Sequence, residues 1–280
     1  MISGVTRTAG VIGAPVTHSL SPLLMNSWIA AAGLDAVYVA LPARADFDTD
    51  GFRSLGRSGL AGVNVTLPFK SRALEAADQV SEAARLVGAA NLLCFGPEGI
   101  RADNTDIDGA REALKTAECE FRDRTVLVLG AGGVAQAICA AAMQDRAGRI
   151  LIANRTADRA SALAAKFDTA HSVDWAARTA VLAEADIVVN ATSLGLDGRS
   201  SPLESWQGAR EGAVAFDTVY TPAVRPFLQD ARAAGLTSVD GLAMLIGQAR
   251  PSFRQLFDQA APEEIDADTL LRKALTDGPV

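Results

Sequence analysis

Residues Thr125-Val126-Leu127-Val128-Leu129-Gly130-Ala131-Gly132-Gly133-Val134-Ala135, TVLVLGAGGVA, decide the fold. Thr125–Leu129 is a near-continuous apolar run of strand length, and Val134–Arg146 has helical spacing. Between them stands G-x-G-x-x-A, with Ala135 in the third place. In such a turn Gly130 admits the tight bend and Gly132 lets the backbone approach a pyrophosphate. The small Ala135 lets helix and strand pack closely. Ala131, Gly133 and Val134 complete the turn, and the helix N-terminus offers free N–H groups to phosphate oxygens. Glycine turns between strand and helix are common, so a purely structural turn fits the same glycines. The context speaks for a dinucleotide: strand, turn, helix and a second strand, Arg149–Ala153, fall where the motif requires them.

That second strand runs into Asn154-Arg155-Thr156, with Arg159 four positions after Arg155. NAD-binding turns usually place a carboxylate about 20 residues after the glycines, for the ribose hydroxyls. None stands here. Two guanidiniums at i and i+4 are expected on one helical face, and their planar forks match phosphate geometry. The pattern predicts NADP over NAD, with a solvated Arg-rich helix start as the plain alternative.

Outward from this core, β-rich runs alternate with helical patterns. Asp186–Asn190, Ala213–Asp217 and Thr237–Val239 read as further strands, with helices at Ala157–Phe167 and Pro222–Ala234. Upstream, Thr8–Ile12, Val37–Leu41, Gly62–Leu67 and Asn91–Phe95 read as strands. Helices are expected at Pro22–Ala32, Lys70–Ala77, Ser81–Val87 and Ile107–Glu118, and at the end at Leu242–Asp258 and Pro262–Thr276. This is βαβ logic, and a parallel sheet with helix-covered faces is the economical solution. The best boundary lies near Asp106. The 280 residues suffice for two domains.

Composition narrows the class. A hydrophobic fraction of 49% with 21% charged residues is that of a soluble globular chain. A net charge of -7 without a Lys/Arg run argues against nucleic acid as a partner. No uncharged apolar stretch reaches the ~20 residues that span a bilayer, so no membrane partner is expected. Cys94, Cys119 and Cys139 lack metal spacing, and His18 and His171 are the only histidines, so no metal site is expected. The reading is a cytoplasmic protein with reduced thiols, monomer or homodimer. Of 26 basic residues only Lys70, Lys115, Lys166 and Lys273 are lysines.

The first half carries polar clusters that core-building does not require. His18-Ser19-Leu20-Ser21-Pro22 opens a helix, and Ser21 before Pro22 would make a good N-cap. Capping explains one serine and leaves the other. Asn64-Val65-Thr66-Leu67-Pro68-Phe69-Lys70 runs from strand to helix start, where a lysine opposes the helix dipole. Asp103-Asn104-Thr105-Asp106 could be a turn and cap.

Together these segments resemble the shikimate dehydrogenase family. The likeness rests on Ser19-Leu20-Ser21-Pro22, Asn64-Val65-Thr66 with Pro68-Phe69-Lys70, Gly88-Ala89-Ala90-Asn91 and Asn104-Thr105-Asp106. It continues through Gly130-Ala131-Gly132-Gly133, Asn154-Arg155-Thr156, Asn190-Ala191-Thr192-Ser193 with Gly195, Asp217 with Tyr220, and Asp240-Gly241-Leu242 with Met244-Leu245 and Gln248. Order and spacing agree from near residue 10 to near residue 257.

The resemblance implies an α/β architecture: an N-terminal parallel-rich α/β substrate domain, a Rossmann NADP-binding domain, and C-terminal helices returning to the first domain. The implied limits are 1–106 with 238–280, and 107–237, with the active site in the cleft between them. It also implies NADP-dependent interconversion of shikimate and 3-dehydroshikimate, a step of aromatic amino-acid biosynthesis. Ser19, Ser21 and Tyr220 would hold the substrate carboxylate. Thr66, Asn91, Asp106 and Gln248 would bind ring hydroxyls, with Asn64 in support, and Lys70 and Asp106 would be the catalytic pair. Gly130, Ala131, Gly132, Gly133, Val134 and Ala135 would meet the pyrophosphate; Asn154, Arg155, Thr156 and Arg159 the adenosine phosphate end; Thr192, Ser193, Gly241 and Met244 the nicotinamide. Leu92 and Arg225 stand where Thr is common in the family, and Ala243 where Gly is common. A paralogue acting on quinate or an aminoshikimate-type analogue is the nearest alternative. A non-catalytic nucleotide-sensing protein on the same fold is the other.

Overall fold

The computed structural model describes residues 2–222 and 225–277. The chain divides into two units, one holding residues up to Thr105 together with those from Gln248 on, the other Asp106–Gly247.

The first unit runs β1 (Arg7–Gly13), α1 (Ser21–Ala31), β2 (Ala36–Pro42), α2 (Thr49–Gly56), β3 (Gly62–Val65), α3 (Lys70–Glu75), β4 (Gln79–Val80), α4 (Glu82–Val87), β5 (Leu92–Gly96) and β6 (Gly99–Asp103). Its six-stranded sheet has the order β2-β1-β3-β5-β6-β4. β1 lies parallel to β2 and β3, but β5 runs antiparallel to both β3 and β6. The sheet is therefore mixed, parallel-rich as expected but not parallel throughout. The cause is a tight hairpin: Gly96 pairs with Gly99 across Pro97-Glu98, turning β5 directly into β6. Phe52, Val63, Phe69, Leu93 and Ile100 fill its core.

The second unit runs α5 (Asp106–Lys115), β7 (Thr125–Leu129), α6 (Gly133–Gln144), β8 (Arg149–Ala153), α7 (Ala157–Ala164), β9 (Ala170–Val173), β10 (Ile187–Asn190), β11 (Val214–Asp217), α8 (Pro226–Ala233) and β12 (Thr237–Val239). Its six strands follow the order β12-β11-β10-β7-β8-β9, with every pair parallel. This is the doubly wound Rossmann order, which reverses between β7 and β10. The central strands are buried along their length, which is why they read as unbroken apolar runs.

Two helices close the chain, α9 (Gly241–Phe257) and α10 (Ala267–Asp277). α9 begins in the second unit and passes into the first at Gln248. The expected limit, residue 238, falls inside β12. β12 instead pairs with β11, Val214 opposite Thr237, and so belongs to the second sheet. Past the crossing, Phe253 meets Trp28 of α1 edge-on at 5.6 Å, and both side chains are fully buried. α10 also packs on α1. α10 starts at Ala267 rather than Pro262, because Asp266 accepts from Thr269 N at 3.0 Å and sets the helix start there. α8 starts at Pro226 rather than Pro222, after the extended Arg225. No helix among the described residues is long and apolar enough to cross a membrane.

Candidate active site

The glycine turn lies at the carboxyl ends of the second unit's strands, at the switch point between β7 and β10, where doubly wound sheets bind ligands. Gly130 has φ +120°, and a Cβ there would stand 2.6 Å from Ala191 O, in the loop after β10. Only glycine lets the two loops approach this closely. Gly132 is the N-cap of α6 and offers no side-chain cap, and the space a Cβ would occupy there is open. The first N–H groups of a twelve-residue helix thus face a clear approach. Ala135 is fully buried against the sheet, and Ala131 and Val134 are half-buried.

Next along the sheet, β8 is followed by Asn154, whose Nδ2 donates to Thr156 O at 2.9 Å. Thr156 is the N-cap of α7 and makes no side-chain cap bond. Arg155, Thr156 and Arg159 are exposed. Arg155 precedes the helix, so the expectation of two arginines one turn apart on a helical face does not hold. Both guanidiniums stand instead at the mouth of α7. A cavity of about 260 Å³ opens between α6 and α7, lined by Ala131, Gln136, Arg159, Ala162, Leu163 and Lys166. Lys166 Nζ donates to Gln136 Oε1 at 2.8 Å across it. The sequence reading did not single out Lys166. These cations, a bare helix N-terminus and no carboxylate at the end of β8 fit a phosphorylated dinucleotide.

The loop after β10 is held by its own strand. Asn190 is fully buried, and its Oδ1 accepts from Thr192 N at 3.1 Å and from Thr192 Oγ1 at 2.7 Å. Ser193 is exposed beside it. Asn190 Nδ2 donates to Asp217 Oδ1 at 2.9 Å, joining the ends of β10 and β11. Burial pushes the Asp217 carboxyl up, against the downward pull of the Arg225 guanidinium. Tyr220 is half-buried on the following loop. Gly241 comes so close to that loop that a Cβ would meet Thr218 O at 2.4 Å, and Met244 is buried one turn on.

In the first unit the polar residues form a buried network. Tyr38 Oη donates to Asn64 Oδ1 at 2.8 Å, and Asn64 Nδ2 donates to Ser252 Oγ at 2.9 Å. Ser252 Oγ lies 3.1 Å from Thr105 Oγ1. Asn91 Oδ1 accepts from Thr105 N at 2.7 Å, and its Nδ2 donates to Thr105 Oγ1 at 3.0 Å and to Gln248 Oε1 at 3.4 Å. Burial pushes the Tyr38 phenol well above its ordinary range, so it stays a neutral donor. Asn64, Asn91 and Gln248 were expected to share a site, and the network joins them. Tyr38 and Ser252 were missed; only the sheet and α9 bring them to Asn64.

Ser21 lies within α1 rather than capping it. The N-cap is Leu20, with no side-chain cap bond, and Ser21 N instead donates to Ser19 Oγ at 3.3 Å. Pro22 favours the helix start, and Ser19 accepts the first N–H of the helix. Capping therefore leaves Ser21 unexplained, where the sequence reading makes Ser21 the cap. Thr66 follows β3 and is half-buried, and its O accepts from Phe69 N at 3.0 Å. That turn seats the fully buried Phe69, and Lys70 becomes the first residue of α3. Lys70 O accepts from Ala90 N at 2.9 Å, placing its backbone beside Asn91. Asp106 opens α5 directly after Thr105 and is 6% exposed. A carboxylate at this end suits the helix dipole.

Residues 11–93 match the family described as the shikimate dehydrogenase substrate binding domain, and residues 111–242 that described as shikimate / quinate 5-dehydrogenase. The shikimate dehydrogenase (NADP(+)) of Maricaulis maris is 46% identical over 274 residues, 98% of each chain. The chain belongs to the shikimate dehydrogenase family. Among solved shikimate dehydrogenases, that of Aquifex aeolicus superposes with a TM-score of 0.90 at 32% identity, over 97% of this chain and all of the other. The Thermus thermophilus shikimate 5-dehydrogenase in complex with NADP(H) and shikimate gives 0.86 at 33% identity, over 96% and 100%.

Proposed function

We propose that this shikimate dehydrogenase family member catalyses the NADP-dependent interconversion of shikimate and 3-dehydroshikimate. The likeness at 46% identity over 98% of the chain to a shikimate dehydrogenase (NADP(+)) carries this reading. We assign substrate binding to the unit that ends at Thr105 and resumes at Gln248, and NADP binding to Asp106–Gly247. The glycine turn and α6 hold the pyrophosphate, and Asn154, Arg155, Thr156 and Arg159 hold the adenosine phosphate end. Thr192, Ser193, Gly241 and Met244 line the nicotinamide. Bound NADP supplies the hydride acceptor.

The chain's own residues orient the substrate and manage the proton. Ser19, Ser21 and the Tyr220 hydroxyl donate to the carboxylate, neutral donors for an anion. Thr66, Asn91, Asp106 and Gln248 fix the ring hydroxyls, and Asn64 holds Asn91's strand. As hydride leaves the carbinol carbon, the hydroxyl proton passes to the Lys70–Asp106 pair. A lysine amine can exchange a proton where a guanidinium cannot. The enzyme works in the cytoplasm on small molecules, as a monomer or homodimer.

The test is nicotinamide absorbance with shikimate, quinate and an aminoshikimate-type analogue, each under NADP and NAD. Shikimate with NADP should give the highest kcat/KM. Quinate is the second reading, because the matched catalytic family is named for both substrates. The Ser19/Ser21 pair, rather than Ser/Thr, speaks for shikimate. NADP binding without reduction by any of these acids would leave a nucleotide sensor.

A further inference from the structure

Arg225 carries a full charge, and the fold buries it. Its Nε donates to Asp217 Oδ2 at 2.9 Å, and the two side chains are 2% and 0% exposed. Its Nη1 donates to the Pro222 carbonyl. Asp217 Oδ1 in turn accepts from Val219 N at 3.1 Å and from Asn190 Nδ2 at 2.9 Å. Asn190 then holds Thr192 through its Oδ1 and the Leu194 carbonyl through its Nδ2. One continuous chain of hydrogen bonds, charge-assisted at Asp217 and Arg225, thus ties the loop 191–195 after β10 to the loop 218–222 after β11.

A buried ion pair is a weak source of net stability, since well-packed apolar residues do as well. What a guanidinium adds here is geometry: a planar fork bonds the carboxylate of Asp217 and a carbonyl five positions along the chain at once. A threonine at 225 is too short for both. The two loops joined in this way carry Thr192, Ser193 and Tyr220.

We propose that Arg225 is a positioning residue, which with Asp217 locks the loops 191–195 and 218–222 in register and so sets where Tyr220 meets the substrate carboxylate. The proposal rests on the function assigned above. The Arg225 guanidinium is engaged by Asp217 and the Pro222 carbonyl.

The experiment compares wild type with Arg225→Met, Arg225→Thr and Arg225→Lys, reading Tm, NADP Kd, kcat and KM for shikimate. Thr192 and Ser193 ride on one of the two tied loops, so NADP Kd should rise together with KM for shikimate, and kcat/KM for shikimate should fall about 10–100-fold, as misplacement of a binding group predicts. Arg225→Lys keeps the charge but not the fork, and should recover part of the loss. A purely structural role would lower Tm and leave KM unchanged in the folded variants; that result overturns the proposal. Should Arg225→Met fail to fold, Arg225→Lys alone decides it, an unchanged KM again overturning it. Wild type inactive on shikimate would sink the assigned function, and the proposal with it. Wild-type activity with unaltered variants would sink the proposal alone.

Discussion

Lys70 begins α3 at the end of a turn built on buried Phe69. In a chain that uses arginine for 22 of its 26 basic residues (26 less four lysines), an amine here asks for chemistry that a guanidinium cannot do. Lys70→Ala should lower kcat about 10²–10⁴-fold while NADP Kd stays nearly intact, read by steady-state kinetics and titration of the cofactor. Asn91→Ala tests a different property. It removes the acceptor of the buried Thr105 N, and should cost about 1–3 kcal/mol in denaturant unfolding. Both residues could be picked out from short motifs. Tyr38 and Ser252 could not: Ser252 reaches Asn64 across 188 positions of chain, and a serine in an apolar helix carries no local sign of its partner. Ser21 shows the opposite failure, where a good capping sequence was read correctly as a helix start but wrongly as a cap.

The glycine turn acts as one element with the loop after β10. Gly130→Ala should push the backbone off Ala191, with a strain of about 1–3 kcal/mol and a matching loss of NADP affinity, measurable by unfolding and by fluorescence titration. At the mouth of α7, Arg155→Ala or Arg159→Ala should raise KM for NADP about 10–100-fold, the worth of one charge-assisted hydrogen bond, with little change under NAD. The all-parallel sheet was legible because strands buried on both faces must be apolar throughout. The first sheet was less so. β6, Gly-Ile-Arg-Ala-Asp, alternates exposed and buried side chains and carries two charges, so it shows no apolar run. Missing it hid the hairpin, and with the hairpin the reversed direction of β5.

Across the whole molecule, α6 packs its small residues so tightly that Cys139 is fully buried, and its thiol is pushed up to about 12 by desolvation. In the unfolded chain a thiol titrates near 8.5. Between these values the unfolded state gives up the proton first, so stability is full below about pH 8.5 and falls as pH rises toward 12. The stability difference between wild type and Cys139→Ala should therefore shrink by about 2 kcal/mol from pH 8 to pH 10 in denaturant melts. The two crossings between the units were also only partly legible. The sequence puts the first near Asp106 from a polar cluster, and the first unit's opening stretch ends at Thr105. The second falls inside α9, a helix that continues through Pro251, so the proline does not end the element at the crossing. That continuity has a consequence for anyone splicing halves from different relatives. Asn104 and Thr105 are pinned to Ala89 O and Asn91 at the first crossing, and the second is uninterrupted helix, so neither offers a slack tether to cut and rejoin. One residue inserted just before Gln248 would rotate the rest of α9 by about 100°. Gln248 and Ser252 would keep their bonds to Asn91 and Asn64 inside the first unit, so the mismatch would fall on α9 itself, which would have to bulge or break at the splice.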